Sequence, residues 1–185
     1  ISGDGTVLAW VASDNGPVVV VKKGRAAASV VYRAPQSGSI SGLEISPDGS
    51  QVSWIERASL GDVHQVRVAP TGGMPDGTID VAAAADPDSR PAWSPTGSRL
   101  AWVGRNGEVF VATPDGRRVV NIAASTPVKY APRAGSPVWN AFGTELAWIG
   151  VSEADSHLVV TDVSNVIDTS NGAHRIVSEI VGTTE

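Results

Sequence analysis

The stretch Trp93-Ser94-Pro95-Thr96-Gly97-Ser98-Arg99-Leu100-Ala101-Trp102 decides how this chain folds, because it occurs four times. Its counterparts are Ile1-Ser2-Gly3-Asp4-Gly5-Thr6-Val7-Leu8-Ala9-Trp10, Ile45-Ser46-Pro47-Asp48-Gly49-Ser50-Gln51-Val52-Ser53-Trp54 and Trp139-Asn140-Ala141-Phe142-Gly143-Thr144-Glu145-Leu146-Ala147-Trp148. Gly5, Gly49, Gly97 and Gly143 are separated by 44, 48 and 46 residues, and Trp10, Trp54, Trp102 and Trp148 keep the same separations. All 6 tryptophans fall at just two positions of this unit, which chance does not produce.

Each unit reads as four strands. An apolar residue (Ile1, Ile45, Trp93 or Trp139) ends the first strand. Ser-Pro-Asp-Gly or a relative then makes a tight turn, in which Pro presets φ and Gly supplies a positive one. The second strand, such as Leu100 to Val103 or Leu146 to Ile149, is apolar at successive positions, so both its faces are expected to be buried. Further turns lead to third strands at Val18–Val21, Gln65–Val68, Val109–Ala112 and Leu158–Thr161. Fourth strands follow at Ser29–Tyr32, Thr78–Val81, Val119–Ile122 and Arg175–Ile180. No window carries a sustained helical period; the short Ala run at Val81–Ala85 comes nearest. The reading is all-β. Four antiparallel strands at a period of about 45 residues predict a β-propeller, whose blades hide their faces against one another. The blades are expected at 1–44 (inner strand truncated), 45–92, 93–138 and 139–185.

The repeat resembles the TolB-type, WD40-like β-propeller unit, whose signature is close to Pro-x-Trp-Ser-Pro-Asp-Gly followed by an apolar strand. Arg90-Pro91-Ala92-Trp93-Ser94-Pro95-Thr96-Gly97 and Ser136-Pro137-Val138-Trp139-Asn140-Ala141-Phe142-Gly143 carry it best, while Ile45-Ser46-Pro47-Asp48-Gly49 keeps the turn and loses the first Trp. The resemblance implies a ring of six to eight blades. Four are present here, so a larger ring, or one completed by a second copy, is expected, with a closed four-blade ring as the alternative. An open ring exposes a blade face and an unpaired edge, both prone to association. The resemblance also implies export from a bacterial cytoplasm to the periplasm, the cell surface or the medium. The excess of Arg over Lys agrees with a GC-rich bacterial genome.

Composition narrows the chemistry. The 185 residues carry a net charge of −5 and are 42% hydrophobic and 18% charged, unlike a disordered tail. Basic clusters are no longer than Lys22-Lys23 or Arg117-Arg118, which argues against nucleic acid as a partner. Apolar runs such as Val18–Val21 fall far short of a bilayer span. With 0 Cys, thiolate catalysis, disulfides and Cys-based zinc sites are excluded. His64, His157 and His174 form no ligand motif, and neither a nucleophile elbow nor a phosphate-cradling loop is present. Asp86/Asp88 and Asp76/Asp80 offer at most half of a calcium shell and read as solvated turn formers. Asp4 and Asp48 read the same way, since Thr96 and Phe142 stand in their place elsewhere. No cofactor, metal or catalytic group is expected.

Recognition residues are expected on the edge that carries the second-to-third strand turns and the blade connections. That edge is assigned Asp14, Asn15, Glu56, Arg57, Asp86, Asp88, Arg90, Arg105 and Asn106, together with Lys129, Tyr130 and Arg133 on the connection 127–136. Tyr130 between two cations is the favoured contact, because aromatic and Arg side chains lead interface energetics. The expectation is a non-catalytic scaffold that docks a protein or a cell-surface glycan. Alternatives are the gating propeller of a larger serine-peptidase-type hydrolase and a propeller enzyme acting on polysaccharide.

Overall fold

The protein is described by a computed structural model covering residues 1–14, 16–57, 63–73, 79–83, 85–125, 131–132, 136–152, 155–166 and 178–184. Among these residues there is no α-helix, only one 3-10 turn at Ala123–Ser125. The first three residues of the Ala run, 81–83, are not helical but end the strand Ile79–Ala83.

Four antiparallel sheets follow one another along the chain. The first joins β1 (Val7–Ser13), β2 (Pro17–Lys23) and β3 (Ser29–Arg33). The second joins β4 (Ser39–Ile45), β5 (Gln51–Arg57), β6 (His64–Pro70) and β7 (Ile79–Ala83). The third joins β8 (Ala92–Trp93), β9 (Leu100–Val103), β10 (Val109–Ala112) and β11 (Val119–Asn121). In the fourth, β12 (Ala131–Pro132) and β13 (Val138–Trp139) both pair with β14 (Glu145–Ser152), which continues into β15 (Asp155–Asp162) and β16 (Ser178–Thr184). These sheets are the blades of a partial propeller. The innermost strands β4, β8 and β13 touch in sequence on the axis side, and the ring is not closed. Each of the last three sheets takes its first strand from the end of the preceding sequence unit. The last strand runs to Thr184, later than expected.

In units two to four the tryptophan of the second strand does the stacking. Trp54 sits in the core between blades one and two, against Val7, Val19, Val21 and Val31. Trp102 enters the next junction, against Ile55, Val66, Val68 and Val81. Trp148 fills the third, against Ala101, Val109, Val111 and Ile122. The rule is constant: the indole of one blade packs on the Val/Ile/Ala rows of the blade before it. Strand alternation makes this possible, since residues flanking each Trp in its strand point the other way, toward the following blade. Burying one indole removes about 150–250 Å² from water. That corresponds to roughly 4–6 kcal/mol as an upper bound.

The turn before each Trp strand is a hydrogen-bonded clamp. Ser46 Oγ donates to Asp48 Oδ1 (2.6 Å) and accepts the Gln51 N–H (2.9 Å), while Asp48 accepts the Ser50 N–H (3.0 Å). Blade one repeats this with Ser2, Asp4, Thr6 and Val7 at 2.6, 2.9 and 3.0 Å. In blade three Ser94 Oγ still accepts the Arg99 N–H (3.1 Å), and Thr96, in place of the acid, shares hydroxyl hydrogen bonds with Ser94 (3.3 Å) and Ser98 (2.7 Å) but accepts no backbone N–H. In blade four Asn140 Oδ1 takes both N–H groups, from Thr144 (2.9 Å) and Glu145 (3.2 Å). Gly49 closes the blade-two turn at φ +70, where a Cβ would stand 2.9 Å from Val7 Cγ2 of blade one. The turn is therefore fixed by packing between blades as well as by φ.

Two outcomes test this description. Trp148→Ala should cost about 3–5 kcal/mol in a denaturant melt, as for other large buried aromatics. The clamp also predicts acid sensitivity. The serine hydroxyls and backbone N–H groups hold the Asp4 and Asp48 carboxyls below their usual range. A carboxyl whose folded pKa is depressed lends stability above its unfolded pKa, about 3.9, and loses it as pH falls through the lower folded value. Melts should decline below about pH 4, and an Asp4→Ala/Asp48→Ala chain should decline less steeply over the same range.

Candidate functional site

Strand polarity brings one set of connections to a common edge. Pairing of Ser13 with Pro17, Ser39 with Arg57, and Arg57 with His64 puts the ends of β1 and β5 and the starts of β2, β4 and β6 in line. Along this edge Asp14 is exposed and paired with Arg33 at 2.7 Å. Arg57 ends β5 and is exposed. Asp88 is exposed, and its N–H is taken by Asp86 Oδ1 at 2.8 Å, an Asx turn. Arg105 and Asn106 are exposed in the β9–β10 turn, where Glu108 accepts the Asn106 N–H (2.9 Å). Asn15, Lys129, Tyr130 and Arg133 lie outside the described residues.

Glu56 corrects the sequence reading. It is not a loop residue: β5 runs through it, and its carboxylate is buried, 2.7 Å from the Arg67 guanidinium. Arg67 lies opposite Trp54 in the ladder and sits 5.9 Å over the Tyr32 ring, which in turn lies 4.9 Å from Trp54. A buried carboxylate needs a partner. Here the partner is a strand residue that also caps the blade-one aromatic. The pair lies within blade two, buried against the junction that Arg67 crosses to reach Tyr32.

The concave axis side carries a second feature, which sequence reasoning missed. The inner strands do not run straight. In β4 the register shifts between Ser41 and Glu44. In blade three an isolated bridge joins Ala85 to Gly104, and pairing resumes only at Ala92 with Ala101. In blade four pairing passes from Pro132–Gly150 to Val138–Ala147. These irregularities push residues toward the axis. Gly42 (φ +60) permits the approach: a Cβ there would lie 3.1 Å from the Ser89 carbonyl oxygen and 3.2 Å from Arg90 Cα.

The result is an open cleft of about 480 Å³ whose walls include Glu44, Arg90, Trp93, Pro137 and Trp139. The Trp139 indole donates to the Ala92 carbonyl (3.0 Å), and the Arg99 guanidinium lies 5.5 Å over its ring. Partial burial raises the Glu44 carboxyl pKa, against the pull of Arg90. Among the described residues no three His, Asp or Glu side chains gather as a metal site. The cleft thus offers a carboxylate, a guanidinium and two indoles, a mixture suited to holding a polar ligand with an apolar body. Arg90 alone joins this cleft to the set expected from sequence. The available signal was the Pro-x-Trp echo itself, Pro91/Trp93 and Pro137/Trp139.

No model of a known protein family matches the chain, and no curated protein matches it in sequence. Solved structures do. TolB from Acinetobacter baumannii superposes with a TM-score of 0.63 at 12% identity, over 99% of this chain and 42% of that one. Prolyl oligopeptidase B from Galerina marginata gives 0.69 at 12%, over 100% and 30%. Oligogalacturonate lyase from Vibrio parahaemolyticus gives 0.65 at 12%, over 100% and 52%. The chain thus spans a third to a half of these structures. At such identities the likeness is one of fold, the β-propeller, and the TolB resemblance holds at that level.

Glu56 and Arg67 supply the prediction here. Arg67→Met should cost about 3–5 kcal/mol, because it strands a buried carboxylate. Adding Glu56→Gln should recover most of that loss in a double-mutant cycle followed by denaturant melts.

Proposed function

We propose that this chain is a non-catalytic recognition module. It holds a segment of another protein, or a surface glycan, at the loop edge and the adjoining axial cleft. The observation that carries this reading is the continuity of the two. Arg90 lines the cleft with Trp93, Trp139 and Glu44 and follows exposed Asp88 on the connection into β8, so it links the cleft to the edge that also carries exposed Arg57, Arg105 and Asn106. Mixed charge around aromatic surface is how recognition faces are built, and loops on a rigid scaffold are where they stand. A place outside the cytoplasm agrees with this reading, since the TolB-type resemblance implies export.

Charge reversal tests the assignment. Arg57→Glu, Arg90→Glu and Arg105→Glu should each weaken capture of a ligand from peptide and glycan arrays by about tenfold, with unchanged melts. Arg117→Glu and Arg118→Glu, at the opposite edge, should bind as the parent does. Loss confined to the Arg117 edge, or turnover of an arrayed glycan or peptide by the purified chain, overturns the proposal.

A further inference from the structure

The turn between β9 and β10 sets an asparagine in front of a glycine on open ground. Asn106 is exposed, and Gly107 takes a left-handed φ of +88. Two other amides of this turn are engaged: the Gly104 N–H donates to the Glu108 carbonyl (2.8 Å) and the Asn106 N–H to Glu108 Oε2 (2.9 Å). The Gly107 N–H is the exception. Gly5, Gly49, Gly97, Gly116 and Gly143 each close a turn by donating to the carbonyl three residues back, at 2.8 to 3.0 Å. Among the described residues no acceptor takes the Gly107 N–H, and no group holds the Asn106 carboxamide.

Other asparagines are placed differently. Asn140 Oδ1 accepts the Thr144 and Glu145 N–H groups, while its Nδ2 donates to Thr144 Oγ1 (3.0 Å) and Glu145 Oε2 (2.8 Å). Asn121 Oδ1 accepts the Ala123 and Ala124 N–H groups at 3.0 and 3.2 Å. Ile122 and Ala141 follow these two, and each carries a Cβ beside the next amide. Asparagine is a thermolabile residue because the following backbone nitrogen can attack its side-chain amide, and glycine leaves that nitrogen unshielded.

We infer that Asn106–Gly107 is a site of self-modification: Asn106 deamidates in the folded protein through a cyclic imide, with water as the co-reactant. The Gly107 nitrogen bonds to Asn106 Cγ. The Cγ–Nδ2 bond breaks, and the Gly107 proton passes through solvent to Nδ2, which leaves as ammonia. Water then opens the imide. Scission between Gly107 N and the side-chain carbon gives aspartate; scission between Gly107 N and the main-chain carbon gives isoaspartate. One water is consumed, one ammonia is released and nothing is oxidised. Either product sets a new carboxylate beside Arg105, and isoaspartate also lengthens the turn. The flanking Val103 and Val109 are paired and buried, so the change stays at the loop edge. Its effect on ligand capture rests on the recognition reading, whereas the chemistry does not.

Timed incubation of the folded chain at mildly alkaline pH, in heavy-oxygen water, tests the inference. Chymotrypsin cutting at Trp102 and Phe110 frees peptide 103–110, in which Asn106 is the single asparagine. That peptide should exchange amide for acid, take up one heavy oxygen and become a substrate for an isoaspartyl methyltransferase. Peptides holding Asn121 and Asn140 should stay unchanged until the chain is denatured. Gly107→Ala should slow conversion at Asn106 by about tenfold or more, since the added Cβ shields the attacking nitrogen. The denatured parent chain supplies a second comparison that does not depend on how this variant folds. A folded chain that keeps its Asn106 amide while the denatured chain loses it overturns the inference. So does aspartate formed without isoaspartate, a Gly107→Ala chain that converts as fast as the parent, or equal conversion at Asn121 and Asn140 in the folded protein.

Discussion

One indole packed on the aliphatic rows of the preceding sheet is the contact on which this architecture rests. A single four-stranded sheet cannot hide its two faces, and its hydrogen bonds alone do not hold it together in water. Stacking solves the problem repeat by repeat, so stability accumulates between neighbours and not within any one blade. The three buried tryptophans are each the centre of such a junction, and the strands around them are apolar on both sides for that reason.

The clamp turns set where each indole arrives. Ser, Asp and the backbone N–H groups that follow them form a closed local set of hydrogen bonds, which starts the Trp strand at a fixed height. The acids in these turns are thus accounted for by backbone satisfaction. A carboxylate that accepts from a hydroxyl and a backbone N–H on its own turn is occupied, and its depressed pKa describes folding. The same economy explains why Asn140 can stand in for the Ser-Asp pair: its one side-chain oxygen accepts two N–H groups.

Much of the fold was legible because its signals are local or periodic. Indoles at a fixed stride, Pro and Gly at fixed offsets, and short β-branched runs specify strands and turns without knowledge of their neighbours. Glu56 was misread for the opposite reason. A charged residue just before Arg57 at a strand end looks like the start of a loop, and only the tertiary position of Arg67 makes its burial tolerable. The axial cleft was hidden for a related reason. It depends on where inner-strand pairing breaks and resumes, at Ala85 and Ala92 or at Pro132 and Val138, and such short pairings leave no period in the sequence. Trp93 and Trp139 were visible as echoes, but their place on the cleft wall follows from those breaks. The site residues at 129, 130 and 133 fall outside the described part of the chain.

The junctions share one plan and differ in their polar detail. The first is tied by Arg67 reaching over Tyr32, and the third by Arg99 over Trp139 and onto the Val163 carbonyl; within blade four the Trp148 indole donates to Thr161 at 3.2 Å. At the position of Thr161 the other two blades carry Ala69 and Ala112, and the Trp54 and Trp102 indole nitrogens are buried without a hydrogen-bond partner. Tandem units that match too well can swap places while a chain folds, and the error is then locked in by good packing. Here a blade set against the wrong neighbour leaves the Arg67 guanidinium without the Tyr32 ring, or Arg99 without Trp139 and the Val163 and Gly143 carbonyls, a penalty that falls on incorrect pairings alone. The irregularities that blur the repeat therefore act as an address system, directing each sheet to its own place in the sequence of assembly.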